Sequence, residues 1–110
     1  MEERQRQTKD QEEKQKEKYT NELIEVLQEI SVDEKLLGEF LEDILSPSEY
    51  RELGVRWQII KQLDKGIAQR NIAENLNVAI ATVTRGSREL ADAEGGFRRV
   101  LRKVSQTSKK

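Results

Sequence analysis

The sequence predicts an all-helical protein, and three observations favour that fold class. The 110 residues include a single proline, and no stretch alternates apolar and polar residues as a half-buried strand does. Hydrophobic residues, 35% of the chain, recur instead at the spacing of amphipathic helices. The length allows one small domain, which we place at residues 19–104, between a charged tail at 1–18 and a short tail at 105–110.

The composition excludes several classes of function. The chain has no cysteine and no histidine, so it offers no disulfide, thiolate or imidazole for catalysis or metal binding. It also lacks an apolar run of membrane-spanning length, and its N-terminus lacks the apolar segment of a signal peptide. We therefore expect a cytoplasmic protein, with an enzyme as the weakest option because no nucleophile–base pair can be assembled.

Charge is segregated along the chain, although the net charge is only −1. Residues 19–65 carry five basic and 11 acidic side chains, whereas residues 66–110 carry nine basic and four acidic ones. The net charge of the whole chain, taken alone, would argue against a nucleic-acid partner. The basic C-terminal part instead allows binding to nucleic acid through a local face.

The N-terminal part is predicted to contain a polar tail followed by two helices. Met1 is the only hydrophobic residue of 1–18, so we expect this tail to be disordered or a frayed, solvated helix. Apolar residues at helical spacing predict helices of about 19–31 and 33–45. The apolar stripe of the second helix is wide, which indicates burial on more than one side.

A third helix is predicted to begin at a capping sequence. Ser46 suits the cap, Pro47 the first helical position and Glu49 the third position of a capping box. The helix should end near Gly66. Gly54 lies inside it, and we explain that glycine by a close approach to another helix.

The strongest local pattern is a helix-turn-helix at about residues 69–92. Ala73 is small enough for the crossing of two helices, and Asn77 tolerates the left-handed backbone of a tight turn. Contacts between the two helices are assigned to Ile72, Leu76, Val78 and Val83. Small and hydroxyl-bearing side chains near the start of the second helix, about 79–92, suit contact with base edges. Two ordinary packed helices are the alternative interpretation.

A last helix is predicted over residues 96–104. Its apolar face consists of Phe97, Val100, Leu101 and Val104. The basic residues Arg98, Arg99, Arg102 and Lys103 lie largely elsewhere on it. They form either a solvated face, which we favour, or supplementary phosphate contacts.

Two motifs make the chain resemble the tryptophan (Trp) repressor family. The first is LSPSEYRELGVR at Leu45 to Arg56, and the second is IATVTRGS at Ile80 to Ser87. The resemblance covers about residues 36–101. It implies an intertwined six-helix homodimer that binds a double-stranded DNA operator as a transcriptional repressor, with L-tryptophan as corepressor and no further cofactor. The two reading helices of such a dimer face successive major grooves, about 34 Å apart.

The resemblance also implies a pocket for L-tryptophan. Arg56 and Arg85 match the two family arginines that flank the indole, where a guanidinium stacks on an aromatic face or binds a carboxylate. The other matching pocket positions are Leu45, Ser46, Thr82, Gly86 and Glu89. At Gly86 a side chain would crowd the ligand. Glu89 replaces the usual serine and either pairs with the ligand's ammonium or changes ligand choice.

DNA contacts are implied for the helix-turn-helix. The positions are Gln69, Arg70, Ala79, Ile80, Ala81, Thr82, Thr84 and Arg88. Arg88 adds a charge near Ala73 and Ala91, which replace familiar basic residues of the family. Such contacts can run partly through water, for which the Trp repressor–operator complex is the known example.

Two alternatives to a tryptophan-dependent repressor stay open. One is a family relative that binds DNA without tryptophan or with another ligand. The other is a helical module that binds a partner protein, although such a role does not require the Arg-Gly-Ser of the second motif.

Overall fold

The computed structural model describes the backbone of residues 2–108 and the side chains of residues 8–105. The outer parts of both predicted tails therefore fall outside the described side chains. Within the described part of the chain all regular structure is helical, which confirms the predicted fold class. The helices are α1 Glu2–Ile30, α2 Glu34–Ile44, α3 Pro47–Asp64, α4 Gln69–Leu76, α5 Ile80–Leu90 and α6 Gly96–Ser108.

The chain divides into two compact units, Met1–Ser46 and Pro47–Lys110. The first contains α1 and α2, and the second contains α3 to α6. The prediction of one domain over 19–104 stays a prediction.

The first helix of the N-terminal unit is longer than predicted, because α1 begins at Glu2 rather than near Tyr19. Side chains 8–18 are all exposed. Opposite charges four residues apart, such as Asp10 and Lys14, favour a helix in this segment without any apolar burial.

The second helix of this unit, α2, lies within a residue of its predicted bounds. The Asp33 carboxylate caps it by accepting a hydrogen bond from the backbone N–H of Leu36 at 3.1 Å. No residue of α2 is buried. The apolar side chains of the unit therefore pack only partly against each other.

In the C-terminal unit, α3 begins at Pro47 as predicted and is closed by Gly66. Gly66 has a φ of 81°, and the N–H of Ile67 donates to the carbonyl of Gln62 at 3.1 Å, which is the bond of a Schellman cap. The explanation offered for Gly54 is wrong for this unit. Apart from the neighbouring residues and the backbone of its own helix, none of the unit's described atoms lies within 4 Å of the place that a Cβ would take there.

The helix-turn-helix is formed by α4 and α5. Asn77 closes α4 in the left-handed conformation, with φ 54° and ψ 52°, as predicted. The N–H of Val78 donates to the carbonyl of Ala73 at 3.0 Å, so this turn repeats the geometry that Gly66 gives to α3.

The core of the C-terminal unit joins α3, α4 and α5. Ile59, Ile72 and Val83 form its buried centre, one residue from each helix. The partly buried side chains around this centre are those of Val55, Leu63, Ile67, Ala73, Leu76 and Val78. All four apolar contacts predicted for the helix-turn-helix are therefore confirmed.

The last helix, α6, is fastened by Arg98. Its guanidinium donates to the Asp64 carboxylate at 3.0 Å and to the Leu90 carbonyl at 3.1 Å. The apolar face of α6 stays partly open, with Val100 46% and Val104 50% exposed. Among the described helices, none combines the length and the apolar character that crossing a bilayer requires.

Candidate functional site

A cavity of about 920 Å³ lies along α3 and α5 in the C-terminal unit. The α3 lining residues recur three and four positions apart and so share one helix face. They are Ser48, Arg51, Glu52, Val55, Arg56, Ile59 and Ile60. From α5 come Thr82, Arg85, Gly86 and Glu89, again at helical spacing, with Ala81 at the start of the helix. The cavity is therefore the groove between two facing helix surfaces, and Val78, Ala79 and Phe97 extend its lining.

Five of the seven predicted ligand residues line this cavity, namely Arg56, Thr82, Arg85, Gly86 and Glu89. The structure thus brings together residues separated by up to 33 positions in the sequence. Leu45 and Ser46 belong to the N-terminal unit, and their predicted roles stay predictions. The binding roles of all seven residues are likewise predictions.

The cavity carries charges of both signs at its exposed rim. Three arginines, at positions 51, 56 and 85, line it together with the carboxylates of Glu52 and Glu89. Arg56 is paired with Glu52 on the preceding turn of α3 at 3.8 Å, an exposed contact of small energetic value. Within the described part of the chain, Arg85 forms no ion pair, so its guanidinium is available to an anionic ligand group.

The inner wall of the cavity is apolar. Ile59 and Ile60, which are 2% and 1% exposed, line it together with Val55, Val78 and Phe97. An apolar wall with convergent charged groups at its rim is typical of sites for small organic ligands. The arrangement suits a molecule with an apolar ring and an ionised head.

Gly86 allows the two walls to approach each other closely. A Cβ at this position would lie 3.2 Å from Cγ2 of Ile59 and 3.4 Å from Cδ1 of Ile60. The structure thus adds a reason for glycine within the protein itself, beyond the predicted crowding of a ligand. A larger residue would push α5 away from α3.

Several lining residues were not predicted from the sequence. Ser48, Arg51, Glu52 and Val55 precede Arg56 on the same face of α3, so helical spacing counted backwards from Arg56 would have found them. Phe97 had been assigned only to the apolar face of the last helix. Its place at the cavity depends on how α6 packs, for which the sequence carries no local signal.

Most of the predicted DNA-binding residues lie near the first turns of α4 and α5, whereas Arg88 lies in the last turn of α5. Six are exposed: Arg70, Ala79, Ile80, Ala81, Thr82 and Arg88. Three of these, Ala79, Ala81 and Thr82, also line the cavity. A ligand in the cavity would therefore lie beside the residues predicted to meet DNA.

The remaining two, Gln69 and Thr84, are partly buried and bind each other. The Thr84 hydroxyl lies 2.8 Å from Oε1 of Gln69 and 3.0 Å from the carbonyl of Ile80. The first contact ties the start of α4 to α5, so the two residues form a linked pair on this face.

The basic residues of α6 are not equivalent. Arg98 is held by Asp64 and Leu90, and Arg102 donates to the carbonyl of Ala93 at 3.2 Å. These three contacts fasten the helix to its own unit. Arg99 is exposed and belongs to the predicted solvated face.

The family profile and the individual relatives that match this chain agree with each other. The sequence profile of a family described as "Trp repressor protein" matches residues 18–105. A Trp operon repressor homolog of Haemophilus influenzae is 41% identical over 69 residues, which cover 62% of this chain and 68% of that protein. One from Chlamydia trachomatis is 39% identical over 71 residues, covering 64% and 76% of the two chains. One from Mannheimia succiniciproducens is 52% identical over 48 residues, covering 43% and 48%.

Proposed function

Because this chain belongs to the Trp repressor family, whose members are regulators of transcription, we propose that it is a DNA-binding repressor controlled by a small ligand. The proposed corepressor is L-tryptophan, and the proposed DNA target is a double-stranded operator. The proposed active form is a homodimer in the cytoplasm.

One observation carries this proposal: α5 contributes to the cavity and to the predicted DNA face at once. Thr82, Arg85 and Glu89 line the cavity, whereas Ile80, Thr84 and Arg88 occupy other parts of the same 11-residue helix. A ligand that prefers one orientation of α5 shifts the protein toward that orientation. Binding at the cavity would thereby change the affinity for DNA.

The chemistry of the cavity supports an aromatic amino acid as ligand. Arg85 forms no ion pair in the described part of the chain and can bind a ligand carboxylate. Arginine also stacks on aromatic faces, and the wall formed by Ile59 and Ile60 is apolar. Glu89 supplies an anion for the ligand's ammonium.

Exposed apolar side chains support the homodimer. In the N-terminal unit Ile24 is 62% exposed, Val32 93% and Ile44 54%. Large apolar side chains left exposed to this extent are suited to burial in a protein–protein contact. A second copy related by a two-fold axis would cover them and place two reading helices about 34 Å apart.

The direct test is a titration of L-tryptophan against DNA binding. Duplexes are enriched by the protein from a random pool, in parallel with and without L-tryptophan, and their affinities are measured by fluorescence anisotropy. We expect saturating L-tryptophan to raise the affinity roughly 5- to 150-fold, and L-leucine to leave it unchanged. Equal affinities with and without L-tryptophan would refute the corepressor role.

Arg85 and Arg88 offer a matched pair of variants. Arg85→Ala should lower the affinity for L-tryptophan about tenfold or more, because a charged hydrogen-bond partner is lost. Arg88→Ala should leave that affinity unchanged and lessen the salt dependence of DNA binding by about one phosphate contact. Calorimetry on both variants separates the two effects.

A second candidate function, a relative that responds to another ligand, is favoured by Glu89 at the cavity. Its carboxylate adds a negative charge that could repel the carboxylate of tryptophan. Under this function, the wild type gives no response to L-tryptophan, and Glu89→Ser restores one. A response in the wild type that Glu89→Ser does not improve excludes it.

A further inference from the structure

Gln69 and Thr84 form a link between the two helices predicted to face DNA. Gln69 is the first residue of α4, and Thr84 lies one turn into α5. Oγ1 of Thr84 lies 2.8 Å from Oε1 of Gln69, a short distance for a hydroxyl–carbonyl hydrogen bond. Both side chains are partly buried, so the contact is partly sheltered from water.

The donor of Thr84 is used inside the protein. A hydroxyl carries one proton, and the two acceptors within reach are Oε1 of Gln69 and the carbonyl of Ile80, at 2.8 and 3.0 Å. Donation to either one leaves no Thr84 proton for a base or a phosphate. Thr84 is therefore poorly suited to donate to DNA itself, which differs from the role that sequence analysis assigned to it.

Gln69 keeps its donors free. Its side-chain oxygen accepts from Thr84, while its amide nitrogen carries two further N–H groups. Among the described residues, no protein group accepts from that nitrogen. Since no side-chain nitrogen of the described part is fully buried without a partner, this nitrogen keeps some access to solvent.

We propose that Thr84 is a positioning residue for Gln69, and that Gln69 makes the contact with DNA. The hydroxyl holds the amide so that its N–H groups point outward, toward an acceptor such as a phosphate oxygen, O6 or N7 of guanine, or O4 of thymine. A side chain held in its bound orientation loses less freedom on binding. This inference rests on the DNA binding proposed above and concerns how that binding is built.

A double-mutant cycle tests the proposal with four proteins: the wild type, Thr84→Val, Gln69→Ala and the double variant. Valine has the shape of threonine without the hydroxyl. The probe is one duplex enriched by the wild type in the presence of L-tryptophan, with affinities measured by anisotropy at a single salt concentration. Each single variant should weaken binding about tenfold, and the double variant about tenfold rather than a hundredfold, because the residues act as one unit.

Thr84→Ser is the matched control, since it restores the hydroxyl and removes only a methyl group. Its affinity for the duplex should stay within about threefold of the wild type. All variants should bind L-tryptophan with unchanged affinity by calorimetry, which shows that the fold is intact. A loss for Thr84→Ser as large as for Thr84→Val would overturn the proposal, because the methyl group would then matter more than the hydroxyl.

Additive losses in the cycle would also overturn it, by showing that the two residues contact DNA independently. An unchanged affinity for Thr84→Val would do the same. If the wild type enriches no duplex under either condition, the proposed DNA binding fails and this inference fails with it. Measurements on the wild type alone show whether DNA binding fails. If the wild type does bind a duplex, only the variants decide whether Thr84 positions Gln69.

Discussion

The two units of the chain differ in how they bury apolar side chains. The C-terminal unit contains five buried hydrophobic residues, and three of them form one centre between α3, α4 and α5. In the described part of the N-terminal unit no residue is buried, although its helices carry apolar stripes. One unit therefore supplies its own core, and the other leaves its apolar faces half-open.

This difference indicates how each unit is stabilised. In the C-terminal unit, the buried centre shared by α3, α4 and α5 holds the helix-turn-helix geometry. The described part of the α1–α2 pair contains no buried residue, so little apolar burial offsets the entropy of ordering it. A second copy of the chain, as in the proposed homodimer, would add such burial.

The largest effect is expected in the core of the C-terminal unit. Ile72 is 0% exposed, and Ile72→Ala should lower the free energy of unfolding by about 3 kcal/mol, through lost burial and the cavity left behind. Ile80→Ala, a matched change at a 54% exposed position, should cost less than about 1 kcal/mol. Urea unfolding at one protomer concentration measures both. Equal losses would contradict the assignment of the core.

The next largest effect is expected on dimerisation, at the exposed apolar side chains of the N-terminal unit. Ile24 is 62% exposed, and Ile24→Asp should weaken dimerisation by about 2 kcal/mol, roughly thirtyfold, if a second copy buries that side chain. Gln15→Asp adds the same charge at an exposed polar position on the opposite face of α1 and should leave the dimer intact. Sedimentation equilibrium reports both association constants. A wild type that sediments as a monomer would contradict the proposed homodimer.

A smaller effect is expected where α6 is fastened. Arg98→Ala removes the contacts with Asp64 and Leu90 and should lower the free energy of unfolding by about 1 kcal/mol, since the ion pair is partly exposed. Arg99→Ala changes an exposed neighbour and should have no measurable effect. Thermal unfolding at low and high salt compares the two. A loss for Arg98→Ala that grows with salt concentration would argue against the ion pair.

The smallest effect is expected for the charged part of α1. Deleting residues 2–18 removes a segment whose described side chains are all exposed, so the free energy of unfolding should change by less than about 0.5 kcal/mol. Dimerisation should persist in sedimentation experiments. Loss of the dimer on deletion would show that the segment contributes to the association surface.

Helix boundaries could be predicted where a local signal marks them. Asp33, Pro47, Gly66 and Asn77 lie at helix ends in the structure, because caps and left-handed turns depend on residues close in sequence. For residues 1–18 the sequence left disorder and a solvated helix open, because this charged segment has no apolar pattern, and the structure has a helix with exposed side chains there. There only pairing of charges along the helix favours the helical state.

The candidate site could be predicted in part. Arg56 and Arg85 were found through motifs that the chain shares with a family, and both line the cavity. Phe97 was missed, as were the Asp64 partner of Arg98 and the hydrogen bond between Gln69 and Thr84. Each of these depends on contacts between helices rather than on local spacing.

The sequence by itself determined the helical class, most helix ends, the apolar residues of the helix-turn-helix and the family. These properties follow from spacing, capping and backbone preferences, which act over a few residues. Only the tertiary structure decided that α3 and α5 face each other across a cavity. It also decided that Gly86 meets Ile59 and that Thr84 holds Gln69. Such contacts arise when packed helices bring distant residues within a few ångströms, and no local pattern encodes that distance.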